Sequence, residues 1–205
     1  MLLSFLALGD SYTIGEGVAP EQRWPVQLAH DIRAAGIGLD DPRIIATTGW
    51  TTDELGAAMD AAEPLGQWDV VSLLIGVNNQ YRGRSVADYR IEFEALLQRS
   101  IALARGRADR VVVLAIPDWG VTPFAAAQGH DTAQIARELD AYNAAAAQIS
   151  AAHGVAFVDT APVSRTRGAE PAMLADDGLH PSGALYAEWK HRALPVVAGL
   201  LQKAE

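Results

Sequence analysis

The chain has 205 residues, of which half are hydrophobic and a fifth are charged; this balance is typical of a globular protein and predicts one domain over residues 1–205. It contains no cysteine, which excludes disulfides and metal sites built from thiolates. The net charge of −9, with Lys and Arg scattered along the chain, argues against a nucleic-acid partner or an anionic membrane surface.

The first apolar run, within MLLSFLALGD, predicts a β-strand rather than an export or membrane segment. It is far shorter than the roughly 20 residues that a membrane-spanning helix needs. It also lacks a positively charged leader and a small-residue cleavage site. We therefore expect a cytoplasmic protein that makes no integral contact with a membrane.

Short runs rich in apolar and β-branched residues predict five strands. Runs such as VVSLLI and VVVLAI are apolar throughout, which is typical of parallel strands covered by helices on both faces. The predicted strands are Ser4–Leu8, Arg43–Ala46, Asp69–Ile75, Arg110–Ile116 and Val155–Val158. Segments of helical period separate them, so the predicted fold is α/β with right-handed crossovers.

Three of the intervening segments carry the clearest helical signals. In residues 86–101 and 135–149, apolar side chains recur at three- and four-residue steps. A last helix is predicted from Pro181 to about Leu201, and Pro195 is expected to kink or split it.

Two connections are longer than a tight turn needs. Residues 78–84 follow the third strand and residues 117–129 follow the fourth. Both are predicted to be loops, and long loops in compact domains are often functional.

Polar residues and glycine follow the strands where a ligand site is expected. In open α/β sheets, ligands bind beyond the carboxyl ends of the strands. Ser11 follows the first strand, Gly49 the second and Asn78 the third. Asp177 and His180 lie between the fifth strand and the last helix. We therefore expect these five residues at one edge of the sheet.

This set of residue types is the one that acyl transfer requires. A serine hydroxyl becomes nucleophilic when a base takes its proton and an acid orients that base. In DDGLHPS, Asp177 lies three residues before His180, a spacing that lets its carboxylate reach Nδ1 within a turn. Taken singly, Ser11 is also an ordinary helix cap and Asn78 an ordinary turn residue. Their convergence with oxyanion donors favours catalysis.

The same residues carry a resemblance to a known family. Gly9-Asp10-Ser11, Gly49, Gly76-Val77-Asn78 and Asp177-Gly178-Leu179-His180-Pro181 resemble, in order, the four blocks of the SGNH (GDSL-type) hydrolase superfamily. The resemblance implies a three-layer α/β/α, flavodoxin-like fold with a five-stranded parallel sheet in the order 2-1-3-4-5. It implies Ser11 as nucleophile, His180 as base and Asp177 as its orienting acid. It further implies an oxyanion hole made by the N–H groups of Ser11 and Gly49 and the side-chain amide of Asn78. Beyond Asp177 and His180 themselves, no His and acidic residues have the spacing of metal ligands, so we expect no metal or other cofactor.

The chain departs from the family pattern at two positions. Tyr12 stands where leucine is usual after the nucleophile, and Asn79 replaces the aspartate of the third block. Asparagine keeps hydrogen-bonding capacity but loses the charge, so the contact that holds this segment must differ.

The predicted reaction is hydrolysis of a small-molecule acyl ester through an acyl-enzyme. Trp50, Tyr81, Trp119 and Phe124 are candidates for the wall of an apolar acyl or aryl pocket, although packing in the core explains such aromatics equally well. A thioesterase or lysophospholipase and a carbohydrate deacetylase remain alternatives. Asn79 also keeps open an inactive ligand-binding or scaffold protein of the same fold.

Overall fold

A five-stranded parallel sheet forms the centre of the protein in a computed structural model that describes residues 2–202. The strands run in the order β2-β1-β3-β4-β5, which confirms the α/β fold and the expected strand order. Each observed bound lies within two residues of the predicted one. The strands are β1 (Phe5–Gly9), β2 (Arg43–Ala46), β3 (Val70–Leu74), β4 (Val111–Leu114) and β5 (Ala156–Val158).

Helices connect and flank the strands. They are α1 (Ser11–Ile14), α2 (Trp24–Ala34), α3 (Thr52–Ala61), α4 (Val77–Tyr81), α5 (Val86–Leu103), α6 (Pro123–Ala127), α7 (Thr132–Ala152), α8 (Ala161–Arg167) and α9 (Gly183–Gln202). The predicted helices over 86–101 and 135–149 are confirmed as α5 and α7. Ser85 caps α5, where its side chain accepts a hydrogen bond of 3.0 Å from the Asp88 N–H.

The strand order divides the helices between the two faces of the sheet. The chain moves from β1 to β2 in one direction and then from β3 to β5 in the other. Because parallel crossovers are right-handed, this reversal places α2 on one face and α3, α5 and α7 on the other. The packing agrees, since α2 contacts α9 while α5 contacts both α3 and α7. The central strands β1, β3 and β4 are therefore buried along their whole length.

Two connections and the last helix differ in detail from expectation. Residues 78–84 are not simply a loop, because α4 begins directly after β3. Residues 117–129 likewise contain a 3₁₀ turn and α6. Pro195 does not split the last helix, which runs unbroken through it. Buried side chains on either side of the proline, including Trp189 and Val197, hold both halves against the core.

The strand register brings the functional segments to one level. Gly9, the last residue of β1, pairs with Ala46 of β2 and with Leu74 of β3. The chain therefore leaves these three strands side by side, at the expected carboxyl-terminal edge.

Gly76 is what lets β3 turn directly into α4. Its φ of +131° lies in a region that side chains rarely adopt. A Cβ there would also lie 2.6 Å from the ring of Tyr89. The glycine thus brings Asn78 and Asn79 to the edge immediately after the strand.

Candidate active site

Ser11 begins α1 directly beyond β1. Asp10 caps this short helix, and its side chain accepts a hydrogen bond of 3.0 Å from the Tyr12 N–H. Asp10 is buried, and burial raises the pKa of its carboxyl group to about 7. Ser11 is 4% exposed and lines a surface cavity of about 230 Å³.

His180 lines the same cavity and is held by Asp177. The Asp177 Oδ2 lies 2.5 Å from His180 Nδ1, and its Oδ1 accepts hydrogen bonds of 2.9 Å from the N–H groups of Leu179 and His180. Partial burial would raise the pKa of Asp177, but these hydrogen bonds outweigh it and lower the pKa. The carboxylate therefore stays ionised beside the imidazole, and Nε2 is left free for a reacting group.

Ser11 and His180 line the same cavity. Among the residues that the structure describes, no hydrogen bond joins the Ser11 hydroxyl to the His180 ring. Catalytic hydrogen bonds of this kind often tighten only when a substrate binds. The arrangement thus presents a serine and an oriented imidazole to one ligand volume.

Gly49 and Asn78 belong to the same cavity as Ser11 and His180. Both line the cavity, and Gly49 has a φ of +90°. Within residues 2–202, the Gly49 N–H has no hydrogen-bond acceptor. The Asn78 side chain donates one hydrogen bond of 2.8 Å to the Trp50 carbonyl, which fixes the amide and leaves its second N–H for a ligand.

A second set of contacts ties α4 to the loop that carries Gly49. Arg82 donates a hydrogen bond of 2.7 Å to the Gly49 carbonyl. Asn79, which is 0% exposed, accepts a bond of 3.1 Å from the Thr52 N–H and donates one of 2.6 Å to the Thr52 hydroxyl. The sequence placed Arg82 in a loop and did not reveal this partnership, because it joins residues far apart in the chain.

The cavity wall is mainly apolar. Tyr81, Trp119 and Phe124 line it as expected, but Trp50 does not. Trp50 is partly buried and packs against the core. Its link to the site is its backbone carbonyl, which accepts the hydrogen bond from the Asn78 side chain. Residues that the sequence analysis did not place in the wall are Tyr12, Thr48, Val77 and Leu179. Each is the chain neighbour of a predicted site residue, and that adjacency was the available signal.

Tyr12 occupies the position of the family's usual leucine. Its ring centroid lies 5.9 Å from that of His180 and 5.8 Å from that of Trp189. Burial, and then the charge of Asp10, raise the pKa of the Tyr12 hydroxyl well above its ordinary value, so the group stays neutral. The substitution thus places an aromatic ring against the imidazole.

An aromatic cluster extends from the cavity wall to the surface. Trp119 lies 5.5 Å from Tyr81 and 5.1 Å from His130, measured between ring centroids. The Trp119 indole N–H donates a bond of 2.9 Å to the Gln80 side chain. Tyr81 is 55% exposed at the mouth. The sequence did not single out His130 for this cluster, because it follows the loop and carries no motif.

The described part of the chain holds neither a candidate metal cluster nor a helix that could span a membrane. No group of three or more His, Asp or Glu residues there is arranged to hold a metal ion. None of the helices in residues 2–202 combines the length and apolar character that a membrane span requires.

Solved structures with the same fold include several esterases. The psychrotrophic esterase EstA from Pseudoalteromonas sp., inhibited by monoethylphosphonate, is 17% identical, with 98% of this chain and 99% of that chain covered and a TM-score of 0.73. The lipase/acylhydrolase from Enterococcus faecalis is 21% identical, with both chains fully covered (100%) and a TM-score of 0.73. Axe2, an acetylxylan esterase from Geobacillus stearothermophilus, is 20% identical over 95% of this chain and 94% of that one, with a TM-score of 0.71.

Sequence comparison extends this likeness from fold to family. A search of curated proteins found no match. The family model of the GDSL-like lipase/acylhydrolases matches residues 7–188, a span that includes Ser11, Gly49, Asn78, Asp177 and His180. The chain belongs to the GDSL-like lipase/acylhydrolase family.

Proposed function

We propose that this protein is a serine esterase that hydrolyses small carboxylic esters through an acyl-enzyme. The observation that carries the proposal is the single cavity lined by Ser11, His180, Gly49 and Asn78, with Asp177 on the far side of the imidazole. These groups supply a nucleophile, a base, an orienting acid and oxyanion donors.

In the first half of the reaction, the Ser11 oxygen forms a bond to the ester carbonyl carbon while His180 Nε2 takes the hydroxyl proton. Asp177 stabilises the imidazolium that forms. The N–H groups of Ser11 and Gly49 and the free N–H of Asn78 bind the negative oxygen of the tetrahedral intermediate. Collapse breaks the bond to the alcohol, which leaves with the proton from His180.

In the second half, water takes the place of the alcohol. It gives a proton to His180 and attacks the acyl carbon. The intermediate then releases the carboxylic acid, and the Ser11 oxygen recovers its proton. No step requires a redox partner or a metal.

The cavity wall supports an ester whose acyl group is apolar. Val77, Trp119, Phe124 and Leu179 supply apolar surface beside the serine. Asn79 does not line the cavity, whereas Asn78 does. The departure from the family's aspartate therefore leaves the proposed oxyanion donor in place, which favours an active enzyme over an inactive scaffold.

Carbohydrate deacetylation is a second candidate. The exposed ring of Tyr81 stands at the mouth of the cavity, where a sugar carrying an acetyl group would meet it. Axe2, which shares the fold, is an acetylxylan esterase.

A fluorophosphonate probe and a panel of aryl esters of graded acyl length test the proposal. The probe should label the protein once, on Ser11. Ser11→Ala should abolish labelling and lower kcat by at least about a thousandfold, because it removes the nucleophile. Ser85→Ala, which changes an exposed helix cap, is the matched control and should keep both. Labelling that persists in Ser11→Ala, or no labelling of the folded wild type, would contradict the proposal.

A further inference from the structure

The buried side chain of Asn79 meets the carboxylate of Glu92, which is one-third exposed. Its side-chain nitrogen lies 2.6 Å from the Thr52 hydroxyl and 3.4 Å from Glu92 Oε2. The Thr52 hydroxyl in turn donates a hydrogen bond to Glu92. Asn79 is 0% exposed and Thr52 is 1% exposed, so water cannot readily replace the contact between these two residues.

The chemistry of this contact requires an amide at position 79. The Thr52 hydroxyl has one proton and gives it to Glu92, so it must accept its bond from Asn79. Glu92 accepts from both. An aspartate in place of Asn79 would keep the bond that it accepts from the Thr52 N–H, but it would offer no proton. It would also bring a second negative charge within about 4 Å of Glu92, which is unfavourable even though the partial exposure of Glu92 screens the repulsion.

The surrounding cations would not neutralise an additional carboxylate at position 79. Arg84 lies 3.7 Å from Glu92, but its guanidinium makes a closer contact of 2.6 Å with Asp53. The Asp53 carboxylate is held ionised, because the hydrogen bond from Arg84 lowers its pKa to about 2. One arginine therefore already serves two carboxylates, and a third would be unpaired.

The contact lies between the two segments that carry the proposed oxyanion donors. Asn79 follows Asn78 on α4, and Thr52 begins α3, three residues after Gly49. We infer that Asn79 and Glu92 form a matched amide–carboxylate pair that positions Gly49 and Asn78 relative to each other. Glu92 thereby compensates for the loss of the aspartate that is usual in the family. This inference rests on the proposed function, and both members act as positioning residues.

The experiment exchanges the amide and the carboxylate between positions 79 and 92. Asn79→Asp should lower kcat by at least about tenfold with KM changed less than about threefold, because a displaced donor weakens transition-state binding. It should also lower Tm. Asn79→Asp combined with Glu92→Gln restores one amide and one carboxylate in the pair. This double variant should recover kcat to within about threefold of wild type and most of the lost Tm.

Gln148→Glu is the matched control, because it makes the same amide-to-carboxylate change on the exposed surface of α7, where Gln148 accepts a bond of 3.1 Å from Arg90. It should leave kcat and Tm unchanged. A double variant no better than Asn79→Asp, or one that fails to fold, would overturn the pair, as would a fully active Asn79→Asp. If the wild type hydrolyses no ester, the proposed function fails, yet recovery of Tm in the double variant still tests the pair.

Discussion

Asp176 and Asp177 are adjacent carboxylates with different surroundings. Both oxygens of Asp177 are engaged, one by the His180 ring and the other by two backbone N–H groups. Asp176 is exposed, and within residues 2–202 no hydrogen bond joins it to His180. We therefore propose that Asp177, and not Asp176, holds the imidazole tautomer and stabilises the imidazolium.

Exchanging each of these carboxylates for its amide separates their roles. Asp177→Asn should lower kcat by about a thousandfold or more, because it disturbs both the tautomer and the charge. Asp176→Asn makes the same change one residue away and should stay within about threefold of wild type in ester hydrolysis. Equal losses in both variants would mean a shared network, and a loss in Asp176→Asn alone would move the third member of the triad.

Single residues were predictable where a motif fixes the backbone, and less so where a side chain must choose a direction. Asp177 and His180 are three residues apart in a turn, so their contact is local. Trp50 was expected in the pocket wall, but it follows Gly49, whose φ of +90° turns the chain. Its ring therefore packs on the core. The contact between Asn79 and Glu92 joins α4 to α5, and no local sequence pattern predicts a contact between different helices.

Between elements, a partly buried ion pair joins α2 to α9. Lys190 on α9 forms a hydrogen-bonded ion pair with Asp31 on α2. The lysine side chain is 10% exposed and the aspartate side chain 28% exposed. Neutralising the aspartate would leave a mostly buried ammonium group without its partner.

Asp31→Asn should lower the free energy of unfolding by about 1–2 kcal/mol at neutral pH, between the values for exposed and fully buried pairs. The hydrogen bond from Lys190 lowers the pKa of Asp31. The stabilisation is therefore complete above the ordinary aspartate pKa of about 4 and is lost as the pH falls through the lowered value. The difference from wild type, measured by chemical denaturation, should be constant from about pH 5 to 8 and shrink below about pH 4.

Asp41→Asn is the matched control on the same side of the molecule. Asp41 pairs with Arg33 of α2, but its side chain is 71% exposed, so little change is expected at any pH. A difference for Asp31→Asn that stays constant down to about pH 2.5, where the carboxyl groups of the unfolded chain are protonated, would show that the pair contributes no charge-dependent stability.

The elements themselves follow largely from sequence periodicity. The five strands were predicted correctly because short apolar, β-branched runs between helical segments are typical of buried parallel strands. Pro195 was expected to kink or split the last helix, and the helix is not split. The cost of a proline in a helix is opposed by tertiary packing, and buried residues on both sides of Pro195 favour continuity. The helix α4 was missed because Asn78 and Asn79 have turn propensity, which Gly76 and the interior contacts of Asn79 override.

On the scale of the whole molecule, the net charge affects which substrates can approach the proposed active site. The net charge is −9. Near the cavity, Thr48 donates a hydrogen bond to the exposed Glu16, and Asp177 stands behind His180. Arg82, which donates a hydrogen bond to the Gly49 carbonyl, also forms an ion pair with Glu54 at 3.3 Å. From these charges we expect a negative approach to the serine, which would disfavour polyanionic substrates.

Two substrates with the same acyl group make this measurable: a neutral aryl ester and an acyl-coenzyme A thioester, whose phosphates are anionic. Raising the ionic strength from about 0.01 M to about 0.1 M shortens the Debye length from about 30 Å to about 10 Å and screens the repulsion. The kcat/KM for the thioester should then rise several-fold, while that for the neutral ester should change little. Glu16→Gln should raise the low-salt value for the thioester only, because it removes one negative charge near the mouth. A thioester kcat/KM that falls as salt is added would instead indicate an attractive site for the phosphates, and would favour the thioesterase over the esterase.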